Sequence, residues 1–227
     1  MHVFYLHGFA SSAQSSKAEF FRRQLTEHGI VLHAPDFNEP DFSTLTITRM
    51  IEQVRHALQE LPAGPVVLIG SSLGGFVAVQ VAERFPGLVD RLVLLAPALD
   101  VNGERLQKLG DRSVDAWRRT NRLDVFHHAF GRVMPIHYEL FEDACRHDTF
   151  NARVDLPILI FQGLRDIAVD PETVERWARA RPNVTLRLLD DDHQLHASLD
   201  TIWEAVARFL GLSSVPPSLP PDEARRA

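Results

Sequence analysis

Val66-Val67-Leu68-Ile69-Gly70-Ser71-Ser72-Leu73-Gly74-Gly75-Phe76-Val77-Ala78-Val79 is the stretch that decides the fold. A β-favouring apolar run over 66–69 ends in a Gly/Ser tract, and a helix-forming run begins immediately beyond it. A strand that turns straight into a helix strains the residue at the corner and demands small neighbours two positions to either side. Only Ser72 meets that demand: its neighbours at that distance are Gly70 and Gly74, whereas those of Ser71 are Ile69 and Leu73. The turn therefore presents Ser72 as a nucleophile. A phosphate-binding loop would need a lysine where the helix opens, and the chain has Phe76-Val77-Ala78-Val79 there.

Comparable runs recur at 3–6, 30–34, 92–96, 158–161 and 184–189. Most are solidly apolar rather than alternating, as parallel strands covered on both faces must be. Helical patterns separate them. Ser16 with Glu19 reads as a capping box opening a helix to about Glu27, with Gly29 past its end. Leu45, Ile47, Met50, Ile51, Val54 and Leu58 keep a helical stripe until Pro62. A third helix follows the Gly/Ser turn and ends before Pro86. Asp170-Pro171 reads as the start of a fourth, and 199–210 as the last, with Gly211 closing it.

Strand–helix alternation predicts an α/β fold with a doubly wound, mainly parallel six-stranded sheet. Between the fourth and fifth strands, 100–153 shows no strand pattern. It reads as helical stretches at 104–109, 113–119, 125–130 and 136–146, a helical cap inserted into a core made of 1–99 and 154–212. Residues 213–227 hold four prolines and no apolar period, the pattern of a disordered tail.

The 227 residues are 45% apolar and 24% charged, enough to bury a sizeable core. A net charge of −6 without a Lys/Arg block argues against nucleic-acid binding. No apolar run approaches the ~20 residues of a membrane span. The start lacks a basic region followed by an apolar one, so a cytoplasmic location is expected. The single cysteine, Cys145, forms no internal disulfide and reads as a small buried apolar residue. Oligomeric state is not readable.

His7-Gly8-Phe9 follows the first strand. With the serine turn, it makes the chain resemble an α/β-hydrolase with a cap insertion. Tyr5-Leu6-His7-Gly8-Phe9-Ala10-Ser11-Ser12 with Ser15 to Lys17 further resembles the YqiA-type group of small bacterial esterases. The resemblance implies an oxyanion hole built from the backbone N–H groups of Phe9 and Leu73, each such donor being worth roughly 3 kcal/mol. His7 is then a residue that shapes the loop.

The superfamily's chain order of serine, acid and histidine implies an acid after the strand at 158–161 and a histidine after the strand at 184–189. Asp166 matches the acid; Asp170 already serves as a helix cap, Asp155 precedes its strand, and Asp100 is the alternative after the fourth strand. His193 matches the base, with His196 as its competitor. Asp190-Asp191-Asp192 crowd that histidine, either as a solvated acidic turn or as charges that favour imidazolium.

These residues imply acyl transfer from a carboxylic ester or thioester of a small molecule, with no cofactor and no metal. A C–C bond hydrolase using the same triad and a catalytically silent binding protein are the alternatives. In the insertion, Trp117, Phe126, His127, His128, Phe130, Met134, His137, Tyr138 and Phe141 either line an acyl pocket or pack on the sheet.

Overall fold

The computed structural model describes residues 1–101 and 114–212. Its elements run β1 (His2–Leu6), α1 (Ser16–Glu27), β2 (Leu32–His33), α2 (Ile47–Gln59), β3 (Val66–Ser71), α3 (Leu73–Arg84) and β4 (Arg91–Leu95). After the undescribed residues come α4 (Val114–Thr120), β5 (Leu123–His127), β6 (Arg132–Ile136) and α5 (Glu139–Ala144). The chain then continues with β7 (Ile158–Gly163), α6 (Pro171–Arg179), β8 (Val184–Leu189) and α7 (Leu199–Leu210). Six strands form one sheet in the order β2-β1-β3-β4-β7-β8, each neighbouring pair parallel.

Both faces of this sheet are covered, which is why its central strands β3, β4 and β7 are almost solidly apolar, whereas edge strand β8 carries Thr185 and Arg187. Phe4, Leu6, Leu68, Leu94 and Ile160 meet α2, α3 and α6 on one face. Their alternates Val3, Tyr5, Ile69, Leu95 and Phe161 meet α1 and α7 on the other. The edge strand β2 is shorter than the run at 30–34 suggested, and β3 extends through Ser71.

Local signals place most helix ends. Asp170 caps α6, with Pro171 as its first residue, and Gly211 closes α7 in the left-handed conformation. The capping box is displaced: Ser15, not Ser16, caps α1, its Oγ accepting the Ala18 N–H at 3.3 Å. Glu19 instead pairs with Arg22 at 2.6 Å.

The insertion is not wholly helical. The stretch at 125–130, read as helix, contains half of an antiparallel hairpin in which Val125 faces Met134 and Phe126 faces Val133. Leu123, Val125 and His127 alternate inward with Asp124 and Phe126 outward, and Gly131, at φ 63°, takes the left-handed corner of the turn. The helix expected over 136–146 is confined to α5, because Ile136 ends β6. The helix expected at 104–109 and the tail at 213–227 lie outside the described residues. Cys145, expected to be buried, is exposed just past α5.

Trp117, Leu123, Ile136 and Leu140 share one core with α2 and α3. Asp143 adds a polar tie, accepting the backbone N–H and the hydroxyl of Thr48, each at 2.7 Å. Thr48 lies in the first turn of α2, where backbone donors have no partner within the helix.

Candidate active site

β1 and β3 are neighbours, but the chain leaves β1 toward β2 and leaves β3 toward β4. Connections that diverge in this way open a crevice at the carboxyl ends of the strands. Ser72 follows β3 there, and His7-Gly8-Phe9 follows β1.

Ser72 has φ 52° and ψ −116°, a strained conformation for a residue with a side chain. Its backbone is pinned from both sides. The N–H donates to the Leu95 carbonyl at 2.9 Å, and its own carbonyl accepts from Gly75 at 2.9 Å and Ala98 at 3.1 Å. Although it stands at the cap position of α3, its hydroxyl makes no capping bond. A Cβ on Gly74 would collide with the Leu6 carbonyl at the end of β1. One on Gly70 would lie 2.5 Å from the Gly74 carbonyl oxygen. Ser71 is buried in β3 with its hydroxyl bonded to Tyr5, and of the two serines at the turn Ser72 is the one whose hydroxyl meets His193.

The Ser72 hydroxyl donates to His193 Nε2 at 3.2 Å, and His193 Nδ1–H donates to Asp166 Oδ2 at 2.7 Å. The Asp166 side chain is fully buried. Burial raises its pKa, but bonds from His193, the Val169 N–H and Gln162 outweigh that and hold it below the ordinary carboxylate value. Its Oδ1 accepts the Ala168 and Val169 N–H groups, each at 2.8 Å. Gln162, which carries no motif, donates from Nε2 to Asp166 Oδ2 at 2.9 Å. Sequence reading missed this residue.

The rival residues stand outside the hydrogen-bonded line of Ser72, His193 and Asp166. Asp170 is occupied as the cap of α6, Asp155 is exposed ahead of β7, and His196 bonds to Ser16 Oγ at 2.9 Å. Asp100 borders the cavity.

The acidic tract is not simply a solvated turn. Asp190 pairs with Arg165, and Asp192 Oδ1 accepts the Gln194 N–H at 2.7 Å. Asp191 is 4% exposed, its Oδ1 accepting the Asp192 N–H at 2.8 Å. The carboxylates build the turn that presents His193.

On the other side of Ser72, buried His7 donates Nδ1–H to the Gly8 carbonyl at 2.9 Å and accepts the Phe37 N–H on Nε2 at 2.9 Å. It thus shapes the loop that carries Phe9. Leu73 opens α3, so its N–H has no acceptor within the helix. Phe9 and Leu73 border the same cavity as Ser72, Asp166 and His193.

That cavity measures about 1220 Å³. Phe9, Leu73, Val101, Phe130 and Ile167 make part of its wall apolar, while Ser11, Ser12, Gln14, Ser15 and Lys17 make another part polar. From the hairpin turn, His128, Ala129 and Phe130 reach it. Trp117, Met134, Tyr138 and Phe141 instead pack into the core, and Phe126 points outward. His127 is buried, and its Nε2–H donates to Asn38 Oδ1 at 3.0 Å. Asn38 Nδ2 in turn donates to the Ser11 carbonyl at 2.9 Å, tying the hairpin to the loop after β1. Among the described residues, no three His, Cys, Asp or Glu side chains are grouped to hold a metal ion.

A parallel sheet in this order, with a serine elbow after β3 and an Asp/His pair on the loops after β7 and β8, defines an α/β-hydrolase. Residues 2–210 match the uncharacterised protein family UPF0227, and the chain belongs to that family. It is 33% identical over 103 residues to lipase LipV of Mycobacterium tuberculosis, covering 38% of this chain and 40% of that protein. It is 36% identical over 108 residues to the sn-1-specific diacylglycerol lipase ABHD11 of Danio rerio, covering 42% of this chain and 32% of that one. The chain thus spans less than half the length of these relatives. Its fold is similar to that of Est1E from Butyrivibrio proteoclasticus, solved with ferulic acid bound, at a TM-score of 0.79 and 19% identity over 92% of this chain and 87% of that one. Among the described residues, no helix is long and apolar enough to cross a membrane.

Proposed function

We propose that the protein is a serine hydrolase that cleaves carboxylic ester or thioester bonds of small acyl substrates through an acyl-enzyme on Ser72. The observation that carries this reading is the hydrogen-bonded line from Ser72 through His193 to Asp166, opening into a half-apolar cavity. His193 Nε2 takes the hydroxyl proton as Ser72 attacks the acyl carbonyl, while Asp166 holds the tautomer and stabilises the imidazolium. The Phe9 and Leu73 amides receive the oxygen that becomes negative. His193 then protonates the leaving alcohol or thiol, and water repeats the cycle on the acyl-enzyme. In this reading 1–99 and 154–212 are the catalytic core, and from the insertion the hairpin turn with His128, Ala129 and Phe130 covers part of the cavity. The lipase names of the two partial relatives support ester chemistry.

The test is intact-mass analysis after exposure to a fluorophosphonate, with peptide mapping of the adduct. One adduct per chain on Ser72, absent from His193→Ala, is the expected result. Absence of an adduct under conditions that label a control esterase overturns the proposal.

A further inference from the structure

Lys17 has no task in the acyl-transfer steps, although it borders the cavity in which they occur. Lysine is almost never fully buried unless it is paired. Lys17, in the first turn of α1, is 7% exposed, and its Nζ donates to the Gln194 carbonyl at 3.0 Å. Gln194 is the residue next to His193. Three carboxylates act on the ammonium: Asp166 from the loop after β7, and Asp191 and Asp192 from the loop after β8. Asp191 is itself buried, and among the described residues its Oδ2 has no hydrogen-bond partner. Burial works against the Asp191 carboxylate, and bonds from Ser198 and the Asp192 N–H, with the charge of Arg165, hold its pKa below the ordinary value, so a negative charge persists beside Lys17.

We propose that Lys17 is a positioning residue for His193: its ammonium anchors the Gln194 carbonyl, and with it the imidazole, and offsets carboxylates that would otherwise draw a proton onto that ring. The inference rests on the acyl-transfer reading, in which His193 accepts a proton from Ser72 and so must be neutral. Burial pushes the Lys17 pKa down to about 8 while the carboxylates hold it up, so the ammonium keeps its charge at neutral pH. Without it, the carboxylates of Asp166, Asp191 and Asp192 lose the ammonium that stands on the Gln194 carbonyl, and the imidazolium gains. The other titratable groups on the cavity wall are Tyr5 on β1, Asp100 after β4, Asp170 ahead of α6 and His128 on the hairpin. His196 bonds to Ser16 on the helix of Lys17, and Arg165 acts on Asp191 from the β7 loop.

The experiment compares wild type with Lys17→Met, Lys17→Gln and Lys17→Arg. It follows the rate of fluorophosphonate labelling of Ser72 from pH 5 to 9, together with the His193 ring signals by NMR. In the Met and Gln variants the acid limb and the ring titration are expected to move up by about one pH unit. The plateau rate is expected to fall about tenfold as the imidazole loses its anchor. Lys17→Arg, which keeps the charge, is expected to restore the position of the limb. Unmoved limbs in the Met and Gln variants overturn the proposal, whether or not the plateau falls. Should neither variant fold, the ε-methylene signal of wild-type Lys17 decides: a midpoint above pH ~7 supports a charged ammonium beside the carboxylates, and a midpoint below pH ~7 overturns the proposal, because the amine would then be neutral where His193 works. A wild type that does not label at Ser72 refutes the acyl-transfer reading instead.

Discussion

Gly163 ends β7 against the backbone of the histidine loop: a Cβ on it would stand 2.5 Å from the Asp192 carbonyl oxygen and 2.6 Å from that of Asp191. The loops bearing Asp166 and His193 come within hydrogen-bonding distance because this position has no side chain. Gly163→Ala must push one loop away, and both neighbouring atoms are backbone. Overpacking of this kind costs about 1–3 kcal/mol, and a displacement approaching 1 Å slows a positioned reaction about 100-fold. Urea melts and fluorophosphonate labelling rates measure the two effects. Wild-type values for both would show that the loops meet by other means.

Ser72 holds a positive φ that a residue without a side chain adopts freely. Ser72→Gly removes the proposed nucleophile and relieves the corner at once. Labelling is expected to vanish while stability rises by about 1 kcal/mol. A lower urea midpoint than wild type would contradict the strain.

Asp166 accepts on both oxygens: Oδ1 from Ala168 and Val169, Oδ2 from Gln162 and His193. In Asp166→Asn the amide oxygen can replace one set, and the NH₂ then faces the other. With the backbone donors satisfied, the NH₂ meets His193 Nδ1, and the ring must carry its proton on Nε2. That nitrogen can no longer accept from Ser72. On the proposed mechanism kcat for a p-nitrophenyl ester falls about 10³–10⁴-fold with little change in KM. A loss of tenfold or less would reject this role for Asp166.

Asp143 ties the insertion to α2, and its bonds from His147 and Thr48 overcome burial and lower its pKa to about 2. A carboxyl whose folded pKa lies below its unfolded value stabilises the protein fully above the unfolded value, near ~3.9. That contribution, about 2 kcal/mol by linkage, is lost as pH falls through 2. Wild type is therefore expected to exceed Asp143→Asn in urea stability by about that amount at pH 6, with the gap closing toward pH 2. A gap independent of pH would mean that the carboxylate charge contributes nothing.

The sheet was legible because most of its strands are short, almost solidly apolar and bounded by turn residues, all of which are local properties. The hairpin was not. Leu123 to His127 alternates too briefly to separate from a helical stripe, and its pairing with 132–136 depends on Gly131 turning a left-handed corner. Cys145 escaped because burial depends on what packs nearby, and among the described residues the position just after α5 is left exposed.

What the sequence determined by itself was the strand order in the chain and the corner at Ser72, since both depend on residues that are neighbours along the backbone. Motif and chain order named Asp166 and His193 as well. The tertiary structure alone decided the support around them. Gln162 beneath the acid, Lys17 on the Gln194 carbonyl and Gly163 between the loops carry no local signal. Each acquires its role only when parallel strands far apart in the chain lie side by side and bring their carboxyl-end loops to one edge of the sheet.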